Sequence, residues 1–194
     1  MSVQLSADHQ DALQELMNIS MGRAASKLAT LLEFHVTLSI PSIRRASDAE
    51  LLSLGQAEDR CHFTRQSFYG DIDGEVITLL SKKGCDYIVG ALHGKSNDSS
   101  VNLMEESLLD VSNILSGASL QGFTKQLDLV TQISPPTLFK PSLQAVPVDQ
   151  WHLALWIEIV FLVDQAEFEA RTVVCLANNG LEQMLSHLDQ LLEG

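Results

Sequence analysis

The stretch Asp11-Ala12-Leu13-Gln14-Glu15-Leu16-Met17-Asn18-Ile19-Ser20-Met21-Gly22 decides how this chain is read. A near copy, Glu106-Ser107-Leu108-Leu109-Asp110-Val111-Ser112-Asn113-Ile114-Leu115-Ser116-Gly117, returns 95 residues later. The same offset places Leu32 on Leu127, Ser39 on Ser134 and Pro41 on Pro136, so Asn18 to Pro41 matches its copy without a gap. Near the ends of the halves, Leu80-Ser81-Lys82-Lys83-Gly84 falls on Leu176-Ala177-Asn178-Asn179-Gly180 at an offset of 96. A repeat of this kind points to one duplicated structural unit.

Apolar residues at Leu13, Leu16, Met17, Ala24, Leu28 and Leu31 have helical spacing, which predicts a helix over 7–32 with Ser6 as its N-cap. Val36, Leu38 and Ile40 alternate as in a strand that Pro41 ends, and 44–60 reads as a polar excursion with a short helix. Strands follow over 61–69 and 75–80 around the turn Gly70–Gly74, then a short helix over 86–92 stopped by Gly94, and a linker over 95–100. The second half repeats the order: a helix over 102–127, strands over 129–133, 151–163 and 168–177, and a closing helix over 181–192. The expected fold class is therefore α/β (α+β), a pseudo-two-fold duplication of a helix-strand-strand-strand-helix unit. The repeats span about 6–94 and 101–193 of a single 1–194 domain.

Composition narrows the function classes. Of 194 residues, 12 are Lys or Arg and 25 are Asp or Glu, giving a formal net charge of -13. Nucleic acid and anionic membranes are disfavoured, because both need clustered cations. Cys61, Cys85 and Cys175 are odd in number and widely spaced, with no disulfide framework. The start of the chain has no basic and apolar leader pattern, and the apolar run Leu153 to Val163 is too short to span a bilayer. A cytoplasmic location is expected.

On a helix, Asp11, Glu15, Asn18 and Gly22 form one continuous stripe, and Glu106, Asp110, Asn113 and Gly117 form its copy. A mid-helix Asn is costly because its amide competes for backbone partners, yet it stands in both halves. Each stripe offers carboxylates, an amide and a bare backbone position. A solvated helix face explains one such stripe. Two in register, each with Pro 23 positions after the Asn, point to function.

Asp11-x3-Glu15-x2-Asn18-x22-Pro41 resembles the signature of the CheC/CheX/FliY family of chemotaxis phosphatases, and Glu106-x3-Asp110-x2-Asn113-x22-Pro136 repeats it with two substitutions. Two copies in one chain are most like CheC. The resemblance implies an antiparallel sheet flanked by two long exposed motif helices, and a protein that removes the aspartyl phosphate of a CheY-like receiver domain. It also implies roles. Asn18 and Asn113 are the catalytic amides, and Glu15 and Asp110 dock on a receiver lysine, within stripes completed by Asp11, Glu106, Gly22 and Gly117. No cofactor is implied for this chain, since the Mg²⁺ belongs to the receiver. A CheD-like deamidase is a further partner of such proteins, and internal pseudo-symmetry implies a monomer. Asp110 stands where the family has Glu and is shorter by about one bond of 1.5 Å. Glu106 stands where Asp or Ser is usual, so Glu15 with Asn18 is expected to be the better site. The alternative class is a non-catalytic protein that binds a receiver or the flagellar motor.

Other signals are discounted. Gly90-Ala91-Leu92-His93-Gly94-Lys95-Ser96 is one residue short of a phosphate-binding loop and follows a helical pattern. His9, His35, His62, His93, His152 and His187 show no metal-binding spacing, and no Gly-x-Ser-x-Gly nucleophile elbow exists. Trp151 and Trp156 are read as core packing.

Overall fold

The structure is a computed structural model, and it describes residues 5–39, 42–45, 47, 49, 53–93, 101–141, 153–158, 160–163 and 168–193. Gly94, the 95–100 linker and Trp151 lie outside the described residues. In chain order the elements are α1 (Ala7–Leu32), β1 (Val36–Leu38), β2 (Ser42–Arg45), a 3-10 turn (Leu54–Ala57), β3 (Cys61–Gly70), β4 (Gly74–Ser81) and α2 (Cys85–His93). The second half brings α3 (Val101–Gln126), β5 (Thr131–Ile133), β6 (Thr137–Phe139), β7 (Leu153–Glu158), β8 (Phe161–Val163), β9 (Phe168–Leu176) and α4 (Asn178–Glu193).

The α+β class and the antiparallel sheet stand as expected. The unit is richer than three strands, however. Ser42–Arg45, whose last two residues are read as the start of a polar excursion, is β2 and pairs antiparallel with β7. Thr137–Phe139, past the double proline, is β6 and pairs with β3. The single strand expected over 151–163 is divided into β7 and β8. These strands are three to six residues long, too short for alternation to stand out from loop sequence.

The sheet runs β1-β8-β9-β4-β3-β5, with β7 also on β9. Exchanging the halves leaves this order unchanged, because β1 corresponds to β5, β8 to β3 and β9 to β4. At its centre β4 and β9 pair from Gly74↔Leu176 to Leu80↔Ala170. Each half also lends its first strand to the other: β1 pairs with β8 (Val36↔Val163) and β5 with β3 (Gly70↔Thr131).

The repeated serines hold these joints. Ser39 N donates to Val160 O at 3.0 Å, and Val160 N donates to Ser39 Oγ at 3.0 Å. Ser134 N donates to Ser67 O at 2.8 Å, and Ser67 N donates to Ser134 Oγ at 3.0 Å. Each hydroxyl thus satisfies a backbone N–H where the ladder is about to break, a bond worth about 1 kcal/mol net. The helix ends repeat as well. Glu33 (φ 56°) and Asp128 (φ 51°) are both left-handed and terminate α1 and α3 at matching positions.

Both long helices cover one face of the sheet. α1 buries Leu13, Leu16, Met17, Met21, Ala24, Ala25, Leu28 and Leu32, and its N-terminus is capped by Ser6 Oγ, which accepts from His9 N at 3.1 Å. His9 Nε2 lies 2.6 Å from Asp189 Oδ1, tying α1 to α4. α1 and α3 pack side by side at Gly122, where an added Cβ would lie 2.5 Å from Ser20 Oγ and 3.1 Å from Ser20 Cα. Gln126 Nε2 spans the same joint, donating to Leu16 O at 3.2 Å and Ser20 Oγ at 3.1 Å. Gly122→Val must therefore push α1 and α3 apart, with an expected loss of about 1–3 kcal/mol. Thermal unfolding checks this, as a fall in Tm of about 2–4 °C per kcal/mol.

Candidate functional site

The buried face of α1 fixes which face is left for solvent. With Leu13, Leu16, Met17, Met21 and Ala24 turned inward, Asp11, Glu15, Asn18 and Gly22 are all exposed. On α3 the inward positions are Leu108, Val111, Ser112, Leu115, Ser116 and Ser119, which leaves Glu106, Asp110 and Asn113 exposed and Gly117 half-buried. The structure therefore presents both stripes outward, one on each of two adjacent helices. Among the described residues, none of the four stripe carboxylates has an ion-pair or hydrogen-bond partner. A Cβ added at Gly22 or Gly117 meets nothing within 4 Å, so each glycine is an open spot on the helix surface rather than a packing contact.

The two stripes rest on different underlayers. The buried face of α1 is apolar except for Ser20, whose Oγ donates to Leu16 O at 2.7 Å. Beneath α3 there is a seam of hydroxyls: Thr64 Oγ1 with Ser112 Oγ, and Thr78 Oγ1 with Ser116 Oγ at 3.1 Å. Gln66, on β3 and 1 % exposed, belongs to this seam. Its Nε2 donates to Asn113 Oδ1 at 3.1 Å and to Ser134 O at 3.0 Å. Sequence reading places Gln66 in a strand without singling it out. The available signal is its register: Thr64, Gln66 and Phe68 share the inward face, and a glutamine between them must be buried.

Residue 9 to residue 44 carries a recognisable family pattern. These residues match the CheC-like family. The match takes in most of α1, all of β1 and part of β2, and it ends before the second stripe. The likeness of the fold to solved structures extends much further. FliY from Thermotoga maritima is similar with a TM-score of 0.68 at 17% identity, over 97% of this chain and 99% of that one. A chain of the CheX-CheY-BeF3-Mg²⁺ complex from Borrelia burgdorferi is similar with a TM-score of 0.55 at 15% identity, over 84% of this chain and 98% of that one. A chain of the FliM-SpeE complex from H. pylori is similar with a TM-score of 0.69 at 10% identity, over 96% of this chain and 97% of that one. The fold is thus shared with FliY and with chains of the CheX-CheY and FliM-SpeE complexes.

Competing sites find little support in the geometry. Gly90 lies within α2, so the segment that resembles a phosphate loop begins inside a helix. Among the described residues, no three His, Cys, Asp or Glu side chains cluster to hold a metal ion, and no helix is long and apolar enough to cross a membrane. The three cysteines are free thiols. Burial, with Asp86 beside it, pushes Cys85 up to about 11, and burial, with Glu75 beside it, pushes Cys175 up to about 12. Neither is a nucleophile at neutral pH. Iodoacetamide at pH 8 should accordingly leave Cys85 and Cys175 unmodified in the folded protein and label both after denaturation, as read by peptide mass spectrometry.

Proposed function

We propose that this protein is a phosphatase for a CheY-like receiver domain, hydrolysing its aspartyl phosphate from two stripes on one surface. The observation that carries this reading is the outward pairing of Glu15 with Asn18 on α1 and of Asp110 with Asn113 on α3, on a CheC-like fold. The crystallised association of CheX with CheY supports the class of partner.

The chemistry asks little of the phosphatase. An acyl phosphate is activated, its transfer is loose, and catalysis is mostly positioning and charge stabilisation. An amide is no base at neutral pH, but it can accept from a water and donate to a phosphoryl oxygen, holding the two in line. Asn18 and Asn113 fill this role. Glu15 and Asp110, three residues earlier on the same faces, each give a charge-assisted contact to a receiver lysine and so set the register of docking. Mg²⁺ is supplied by the receiver with its own carboxylates. The protein acts as a monomer, with both stripes on one chain.

Replacing Asn18 by Ala and Asn113 by Ala together should abolish phosphate release from a phosphorylated receiver, while each single change leaves one working site. Full activity in the double variant would overturn the mechanism. The glycines give a second test. Gly22→Ala should stabilise α1 by about 0.5–1 kcal/mol, since its Cβ meets nothing. The same methyl group should weaken receiver binding by keeping the partner off the bare backbone. Denaturant unfolding and titration of the receiver measure the two effects separately.

The FliM likeness favours a second reading, in which the chain binds a receiver or a motor component without hydrolysis. In that case, the lifetime of the receiver's phosphate is unchanged at saturating protein although binding is measurable.

A further inference from the structure

The two motif asparagines are held differently. Asn18 is exposed, and among the described residues its side-chain amide has no hydrogen-bond partner. Asn113 is also exposed, but its Oδ1 accepts from Gln66 Nε2 at 3.1 Å. The direction of that bond follows from the neighbouring atom. Ser134 O, a main-chain carbonyl, can only accept, and it lies 3.0 Å from the same Gln66 nitrogen. The Gln66 amide must therefore turn its NH₂ towards both atoms, and Asn113 must answer with its oxygen.

The arrangement leaves Gln66 Oε1 buried with no partner among the described residues. A buried acceptor without a donor is a cost that an apolar side chain of the same length would avoid. Sheet register locates the corresponding place in the other half. Gly70 and Thr131 match Val163 and Val36, and Arg65 and Thr137 match Glu158 and Ser42. Gln66 therefore corresponds in sequence to Ile159, which lies outside the described residues and whose side chain has no hydrogen-bonding group.

We propose that Gln66 is a positioning residue that locks the Asn113 amide in one orientation, with one lone pair of Oδ1 held by Gln66 on β3, the other left to accept from the attacking water, and Nδ2 offered to a phosphoryl oxygen of a docked receiver. The second stripe thus carries the pre-oriented amide, whereas Asn18 must be oriented by the partner. This assignment rests on the phosphatase reading for its catalytic consequence but not for the orientation itself.

Gln66→Met removes the donor and the orphaned acceptor at nearly constant volume. In an Asn18→Ala background, where only the second stripe works, it should lower kcat on the order of tenfold through loss of alignment. Affinity for the beryllofluoride-bound receiver should stay constant, and Tm should not fall. In an Asn113→Ala background the same change should leave kcat unaltered. Equal losses in both backgrounds, or no loss in either, overturn the proposal. If Gln66→Met does not fold, Gln66→Asn, which keeps an amide too short to reach, is read in the same way. Side-chain amide NMR decides the orientation without any turnover. The Asn113 NH₂ pair should be ordered in the unaltered protein and become as mobile as that of Asn18 in Gln66→Met. An Asn113 pair already as mobile as Asn18 overturns the lock, whereas an ordered pair in a protein that releases no phosphate overturns only the phosphatase reading.

Discussion

The antiparallel pairing of β4 with β9 is the contact on which everything else depends. It joins the halves into one sheet, and its seven residue pairs lie where the pseudo-two-fold relation passes through the molecule. Because the two strands are equivalent, each long helix crosses the same backbone frame, and the helices come to rest side by side. Their contact is then set by a single small residue, Gly122 against Ser20. Two exposed stripes on one surface follow from that packing, without any dedicated element to aim them.

Much of this was legible in the sequence. The helical period of Leu13, Leu16, Met17, Ala24 and Leu28 defined α1 to its ends, because a 26-residue helix repeats its pattern over many turns. The stripes were legible for the same reason, since the buried face of a helix determines the exposed one. Ser39 and Ser134 stood out as repeats, although only the structure shows their hydroxyls closing a broken ladder. β2 and β6 were missed because three or four residues cannot display a period, and their pairing depends on partners more than 70 residues away in sequence. The hydroxyl seam was also missed. Serine at 112 and 116 gives no sign of burial by itself, and the two are buried where Thr64 and Thr78 meet them.

The duplication is faithful in backbone and unfaithful in chemistry. Both helices end in a left-handed acidic residue, both are followed by a serine-clamped joint, and the register of both outer ladders agrees. The buried face of α1 is almost wholly apolar, a surface that fixes volume but not the direction of a dipole. Under α3 the contact is hydrogen-bonded, which fixes direction as well. A change in the carboxylate, Glu15 against Asp110, therefore coexists with a change in the support of the amide. Ranking the two stripes by the carboxylate alone overlooks half of the difference.

The exchange of first strands sets an order of events during synthesis. β5 can close on β3 once residue 133 has emerged, because β3 is already made. β1 has no such neighbour. Val36 must wait for Val163, so β1 stays without its ladder while the chain as far as Val163 leaves the ribosome. Contacts of such long range slow folding and leave strand edges open in the interval. The nascent chain is thus open to mispairing at β1 for longer than at β5.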